Sequence, residues 1–567
     1  MYDKRYFTAL ILAIFFLFFS SLISGAETVK TPAEETSYTE YSQYEEITEF
    51  LSHVSHLSEK TKVQIIGQTR DSRDYPSKDL YLCIISEEGA DSPLKLNRKK
   101  PTFLLIASQH GSEQSAKEAA LWLIRDLATG KLESLVKSVN FLIIPQANPY
   151  GNWFDQRRNE QDLDLNRDHV KLEAPEVEAI HHVFRAWMPE VTMDVHEKGD
   201  DFYRVSIGCV SNVNIHQSLQ EFSRSKILSE VWKKLEKKRI THQEYLITQP
   251  MGIDSSAGIQ YREEDLEGRE MMKRYSTTDL NDGRNSLGIY ETLSFIQEGA
   301  SRHDLETLRD RTTWQYYGIR YFAESIAEHG EEIISLVNGL RKRFLVKANV
   351  FSEEDLVHLS MEYARDEKEP ELTIQKFERV EVPIRGVLKV DKKAGDFVTR
   401  DDIAPYRHPS EQKVVKEVVT NWFPKVEPTL SVSRPLGYII PAKHLDVVES
   451  LLRHDLKIGM FTKDIHLEVE SYQVKEVVPA RFDYLPPQKI EVEKKKLQTI
   501  IKRGDFYISC AQPGANLVPC LLEPQSQYGF IRYWKFELVP EVSDIFPFYR
   551  FVGEKALPLI PYKNWQR

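Results

Sequence analysis

His110 and Glu113 stand three residues apart in the run His110-Gly111-Ser112-Glu113. An imidazole nitrogen and a carboxylate at that spacing can grip one metal cation between them. A catalytic zinc takes three protein ligands and keeps one position open for water. Two residues therefore raise the question of a third ligand and of a base. His196 is the candidate third ligand. It ends the run Glu190-Val191-Thr192-Met193-Asp194-Val195, which reads as a strand. Asp194 alternates with His196 along that strand and is placed to orient a metal-bound imidazole. Glu197 reads as a supporting carboxylate rather than a ligand. His53, His56, His181 and His182 fall within helical patterns and read as surface or core residues. For the base, Glu298 lies where the run Leu293-Ser294-Phe295-Ile296-Gln297 gives out into Gly299. Glu291 is its rival, placed earlier in the same run. Between the ligands, the segment Arg157 to Asp168 concentrates arginine and asparagine. Guanidinium groups stay charged and match carboxylates in shape, so this segment reads as a carboxylate or oxyanion receptor.

These residues need elements that bring them to one edge. Thr102–Ala107 is short and apolar, as a buried strand should be. Gln114–Thr129 carries an apolar helical face of Ala116, Ala119, Ala120, Leu123, Ile124 and Leu127, and Gly130 supplies the stop. A helix over Tyr44–His56 precedes strands at Val63–Gly67 and Leu80–Ser86. A strand at Asn140–Ile144, a helix at Glu176–Trp187 and the strand at Val191–Val195 follow. Alternation of this kind predicts an α/β fold with a mixed, largely parallel sheet flanked by helices. Ligands of such sheets sit beyond the carboxyl ends of the strands, where His110 and His196 fall. Further on, the patterns predict a long helix over Ile215–Arg239, a loop-rich stretch over 240–287 and helix from Asp304 to about Arg343. Past residue 345 short β-like runs and prolines dominate, with a strand near Tyr438–Ile440 and a helix at Ala442–His454.

The chain has 567 residues, 41% of them hydrophobic and 28% charged, with a net charge of −11. That balance argues against a nucleic-acid partner. Lys4 and Arg5, the apolar stretch Phe7 to Phe19 and Ser24-Gly25-Ala26 have the order of a secretory signal peptide. Cleavage after Ala26 is expected, with a secreted or periplasmic destination and no lipid-bearing cysteine. The four cysteines make no disulfide scaffold. Cys510 and Cys520 either pair across a turn or stay buried thiols. The expected layout is a signal peptide at 1–26, a flexible leader at 27–42, a catalytic domain at 43–345 and a β-rich accessory region at 346–567.

Five runs in this order resemble the zinc metallocarboxypeptidases of the carboxypeptidase A/B-like family: His110 to Glu113, Asn148 to Gly151, Asp164 to Asp168, Asp194 to Glu197 and Ser294 to Gly299. The resemblance spans about residues 42 to 330. It implies one zinc ion per chain, held by His110, Glu113 and His196. It implies that Asn166 and Arg167 bind the substrate's terminal carboxylate and that Arg157, with Arg158 as rival, supports the oxyanion. Glu298 matches the general base. Tyr275 matches by spacing the mobile tyrosine that contacts substrate, with Tyr261 and Tyr290 as alternatives. Asp162 stands where many relatives have glycine. The substrate implied is a peptide with a free C-terminal carboxylate. Two other readings use the same residues: a deacylase of N-acyl amino acids, resembling the desuccinylase and aspartoacylase group, and an inactive peptide-binding protein. Gly283-Arg284-Asn285 receives no role.

Overall fold

The structure is a computed structural model. It describes residues 29–198, 203–251, 267–300, 307–378, 413–479, 486–487 and 489–562. The expected signal peptide and Tyr261 lie outside the described residues.

Among the described residues, ten strands precede residue 301: β1 (Thr61–Gln68), β2 (Asp79–Ile85), β3 (Thr102–Ala107), β4 (Asn140–Ile144), β5 (Val191–Lys198), β6 (Val205–Cys209), β7 (His242–Glu244), β8 (Leu246–Pro250), β9 (Met271–Tyr275) and β10 (Leu293–Ala300). Eight of them form one sheet in the order β1-β2-β4-β3-β5-β10-β6-β7. The four central strands, β4, β3, β5 and β10, are mutually parallel. β2 and β6 run against them. The mixed, largely parallel α/β sheet is thus present, with its antiparallel pairings towards the edges. All of β3 and β4 is buried, and each reads as an unbroken apolar run because both faces are covered.

The principal helices are α1 (Tyr44–Leu57), α2 (Gln114–Ala128), α3 (Pro175–Trp187) and α4 (Leu308–Glu328). α2 packs on α4 and on β3 and β5, while α1 and α3 pack on β1. Ala116, Ala119 and Ala120 are fully buried on α2, and their small side chains allow that close approach. The helix expected over Ile215–Arg239 runs from Gln217 to Lys237, with a widened π-helical turn at Ser223–Leu228.

Two expectations are refined. Among its described residues, the loop-rich stretch 240–287 also contributes β7, β8, β9 and a short helix, Gly283–Gly288. β8 pairs with β9, and β9 takes Trp422–Phe423 as a parallel neighbour from the far half of the chain. Strands this short carry little local signal, and their partner is distant in sequence. The second concerns residue 345. Architecture changes there: a seven-stranded antiparallel sheet follows, including Gly437–Ile440, Ile465–Val478, Lys489–Ile501 and Phe506–Ser509. The core does not change. One buried apolar cluster runs from Ile47 to Phe548 across both halves. Asn214 Nδ2 donates to His358 O at 2.7 Å, and Tyr528 Oη donates to Thr278 Oγ1 at 2.8 Å. A cut at residue 345 would open this core, so the first half is not expected to fold as an isolated unit. Cys510 and Cys520 are free, buried thiols. Among the described residues no helix is long and apolar enough to cross a membrane.

Candidate metal centre

Past β3 the chain bends sharply. Ser108 adopts a positive φ of 60°, which turns His110 away from the strand axis. Gly111 then passes against Gly151, so closely that a Cβ on Gly111 would lie 2.3 Å from Gly151 Cα. Asn148 caps the short helix Pro149–Trp153 by accepting from Gly151 N at 2.8 Å, and its Nδ2 donates to Gln109 O at 3.2 Å. The Asn148-to-Gly151 run is therefore the bed on which the His110 loop rests. Gly111→Ala is expected to displace that loop and to lower both metal affinity and the unfolding midpoint. An unchanged metal affinity in that variant, measured by competition with a chelating dye, would contradict this packing argument.

His110, Glu113 and His196 converge. One ligand atom from each lies within 4.8 Å of the others, and all three residues are buried. Glu113 Oε1 stands 2.8 Å from His110 Nδ1, Glu113 Oε2 stands 2.8 Å from His196 Nδ1, and the two Nδ1 atoms are 3.0 Å apart. The far nitrogens explain the near ones. His110 Nε2 donates to Asp164 Oδ1 at 3.1 Å, and His196 Nε2 donates to Asp194 Oδ2 at 2.5 Å. With those protons committed, both Nδ1 atoms direct lone pairs at each other and at a carboxylate. Acceptors this close repel unless positive charge lies among them. Two ligand atoms each about 2.1 Å from a tetrahedral zinc would lie about 3.4 Å apart, close to the separations seen. The donor set thus fits zinc. Burial works against ionisation of Glu113, yet when His110 and His196 carry protons in place of a metal their charge outweighs it and holds the carboxyl well below the usual range.

Parallel pairing of β5 and β10 sets Glu298 directly beside His196. Neighbours in register point to the same face, so the carboxylate stands next to the cluster. Burial raises the Glu298 carboxyl above its ordinary value, and Glu113 adds to that, while His196 and Lys198 oppose it. Glu291 lies two residues before β10, beyond the opposite end of the strand from Glu298. There it accepts from His216 N at 3.3 Å.

Arg157 Nε donates to Asp164 Oδ2 at 2.8 Å, and its Nη1 reaches His110 Nδ1 at 3.1 Å. Arg158 instead turns to Asp162 O at 2.7 Å. Asn166 stands beside the metal ligands, its Nδ2 3.0 Å from His196 Nε2 and its Oδ1 accepting from Gly283 N at 2.8 Å. Arg167 Nη1 donates to Asn166 O at 2.6 Å. Burial lowers the Arg167 pKa, but Asp164, Asp279 and Asp282 outweigh it and keep the guanidinium charged.

Tyr275 is not brought to the cluster. On β9 its ring packs 4.8 Å from Trp422, and the Arg224 guanidinium lies 4.0 Å from its centroid. Tyr290 packs on Phe184. Among the described residues, the tyrosine at the site is Tyr245, whose side chain hydrogen-bonds Glu298. Burial, then the Glu298 charge, push its phenol well above the ordinary value. Spacing from Glu298 pointed to Tyr275, because that rule assumes a fixed path between the two. The pairing of Tyr245 N with Ile207 O on β6, at 3.1 Å, was the missing information. Glu197 faces away from the metal ligands, where Arg311 Nη1 donates to it at 2.5 Å.

A family model described as zinc carboxypeptidase matches residues 47–190. Carboxypeptidase 2 of Trichophyton rubrum is 22% identical over 501 residues, covering 85% of this chain and 81% of that protein. Carboxypeptidase 2 of Trichophyton tonsurans is 23% identical over 494 residues, covering 82% and 81%. Among solved structures, a metallo-carboxypeptidase from Burkholderia cenocepacia overlaps 51% of this chain and 70% of its own, at 18% identity and a TM-score of 0.38. A metallo-carboxypeptidase from Pseudomonas aeruginosa, in complex with (2-guanidinoethylmercapto)succinic acid, overlaps 52% and 71% at 16% identity and a TM-score of 0.37. The matched segment contains His110, Glu113, Arg157, Asn166 and Arg167, while His196 and Glu298 follow it and are carried back to the same edge by β5 and β10. Motif, match and sheet agree: residues 47–190 match the zinc carboxypeptidase model, and the curated relatives that this chain resembles are carboxypeptidases.

Proposed function

We propose that this protein removes C-terminal residues from peptides, using His110, Glu113 and His196 as ligands of a single zinc ion and Glu298 as general base. The observation that carries this reading is the convergence of two imidazole lone pairs and one carboxylate beside Glu298. When bound, zinc supplies a Lewis acid that polarises the scissile carbonyl and lowers the pKa of its water towards about 7. Glu298 takes the proton of the attacking water and returns it to the leaving amine. Arg157, held by Asp164, supplies positive charge where the carbonyl oxygen becomes anionic. Asn166 and Arg167 hold the substrate's terminal carboxylate, which restricts cleavage to the last residue. Tyr245, hydrogen-bonded to Glu298, takes the substrate-contacting role in place of Tyr275. The Lys4, Arg5 and Phe7-to-Phe19 segment supports export of the chain.

The test is release of C-terminal residues from a mixed peptide library, with zinc and after chelation, beside the same peptides amidated at the C-terminus. Trimming of free peptides alone, lost on chelation, is expected. Arg167→Leu should lower kcat/KM by about 100-fold or more, since a buried charged hydrogen bond is worth on the order of 3 kcal/mol. Zinc binding without trimming, together with hydrolysis of N-acyl amino acids, would replace this reading by the deacylase one.

A further inference from the structure

Behind the metal ligands runs a line of buried polar side chains that the proposed reaction does not use. Gln109 Nε2 donates to Asp194 Oδ2 at 2.8 Å, the oxygen that also receives the His196 Nε2 proton. Gln109 Oε1 lies 2.9 Å from His169 Nε2, and His169 Nδ1 lies 3.0 Å from His181 Nε2. Gln109, His169 and His181 are all 0% exposed. The direction of every bond in this line is fixed by its inner end. Asp194 only accepts, so the Gln109 amide nitrogen faces it and the Gln109 carbonyl faces outward. That carbonyl requires a proton on His169 Nε2. His169 Nδ1 is then an acceptor and takes the proton of His181 Nε2. His181 Nδ1 is left with a lone pair, and it is in fact a buried atom with no hydrogen-bond partner. Asn166 Nδ2 approaches His196 Nε2 as well, but an amide nitrogen cannot accept. The proton on Nε2 therefore belongs to the bond with the Asp194 carboxylate, the shorter and charged partner.

Each imidazole in this line must be neutral. A second proton on His169 would face the donor on His181. Burial is the main cause that lowers His169 to about 4 and holds His181 well below its ordinary value. The far end of the line is closed by the second half of the chain. His454, fully buried, sets its ring edge-on against His181 at 5.1 Å and 88°, and its Nε2 donates to Val170 O at 2.9 Å.

We propose that Gln109 and His169 are positioning residues of the metal centre: they hold Asp194, which holds the His196 ring with Nδ1 towards the metal, and His454 of the C-terminal half locks the outer end of the line. This rests on the zinc reading above. It assigns part of the β-rich half a task at the site, although none of its described residues stands among the metal ligands. Groups that orient a ligating histidine typically change metal affinity by about 10- to 100-fold when removed.

The experiment measures zinc affinity of the full chain by competition with a chelating dye, together with the visible spectrum of the cobalt-loaded protein and the unfolding midpoint of the metal-free form. Gln109→Leu and His169→Phe are expected to weaken zinc by about 10- to 100-fold and to alter the cobalt spectrum. His169→Gln, which can still donate to Gln109 and accept from His181, is expected to restore both. His454→Phe should weaken zinc by less than either. Native affinity and spectrum in folded Gln109→Leu and His169→Phe would overturn the proposal, because a merely structural role would move only the unfolding midpoint. Should the phenylalanine variant not fold, Gln109→Glu decides. It keeps the shape and sets a carboxylate against Asp194, so native affinity in it overturns the proposal and a loss beyond that of Gln109→Leu supports it. Absence of zinc binding by the native chain would overturn the zinc reading itself, before any variant is compared.

Discussion

Replacement of Glu298 by glutamine is expected to lower kcat by about 10²- to 10⁴-fold while leaving zinc content at the native level. Glutamine has nearly the same shape and keeps a carbonyl oxygen where Glu298 faces the cluster. It cannot take a proton. Glu298 is not among the three residues whose ligand atoms converge, so metal affinity should survive. The residue is buried and its charge is disfavoured there by burial and by Glu113, so the neutral amide should not reduce folding stability. Loss of activity with zinc and unfolding midpoint both retained would fix Glu298 as the base. Activity within tenfold of native would remove it from that role and turn attention to Tyr245, the group hydrogen-bonded to it.

The positions of β3, β5 and β10 are legible in the sequence, although β5 and β10 run two residues past His196 and Glu298. His110, His196 and Glu298 follow from those positions, and parallel pairing of β5 with β10 puts His196 and Glu298 side by side without further instruction. Ligand geometry was partly legible too, since Asp194 shares the strand face of His196. Residues whose position depends on pairing between distant segments were not. Tyr245 reaches Glu298 because residues 242–244 join the edge of the main sheet, and Tyr275 is held off because β9 recruits Trp422 from almost 150 residues away. Periodicity in a three-residue strand cannot announce either event. The His181 reading illustrates the same limit. A histidine inside a helix is most often core or surface, and His181 is indeed fully buried. Nothing local reveals that its neighbours are His169 and His454. The boundary near residue 345 rests on a change of sequence character. What sequence could not convey is that Asn214, Thr278 and Val170 bond across that boundary, so that both halves share one core.

Removal of a metal ligand should have unequal consequences at the two histidines, and the inequality tests the surroundings rather than the ligands alone. His110→Ala and His196→Ala are both expected to lose high-affinity zinc and measurable trimming. They differ in what each leaves behind. Asp164, the partner of His110, keeps Arg157 Nε at 2.8 Å and Asn166 N at 3.1 Å. Its charge stays compensated, and the unfolding midpoint of His110→Ala should lie near that of the chelated native protein. Asp194, the partner of His196, is 3% exposed, its Oδ1 has no partner, and the loss of His196 leaves Oδ2 with Gln109 alone. A buried carboxylate stripped of its partner typically costs about 3–5 kcal/mol. His196→Ala should therefore unfold at clearly lower temperature than chelated native protein. Adding Asp194→Ala should recover much of that loss, because it removes the stranded charge, while zinc and activity stay absent. Equal midpoints for the two single variants would show that Asp194 does not depend on His196 for its charge. Failure of the second substitution to restore stability would place the damage in packing at the end of β5 instead.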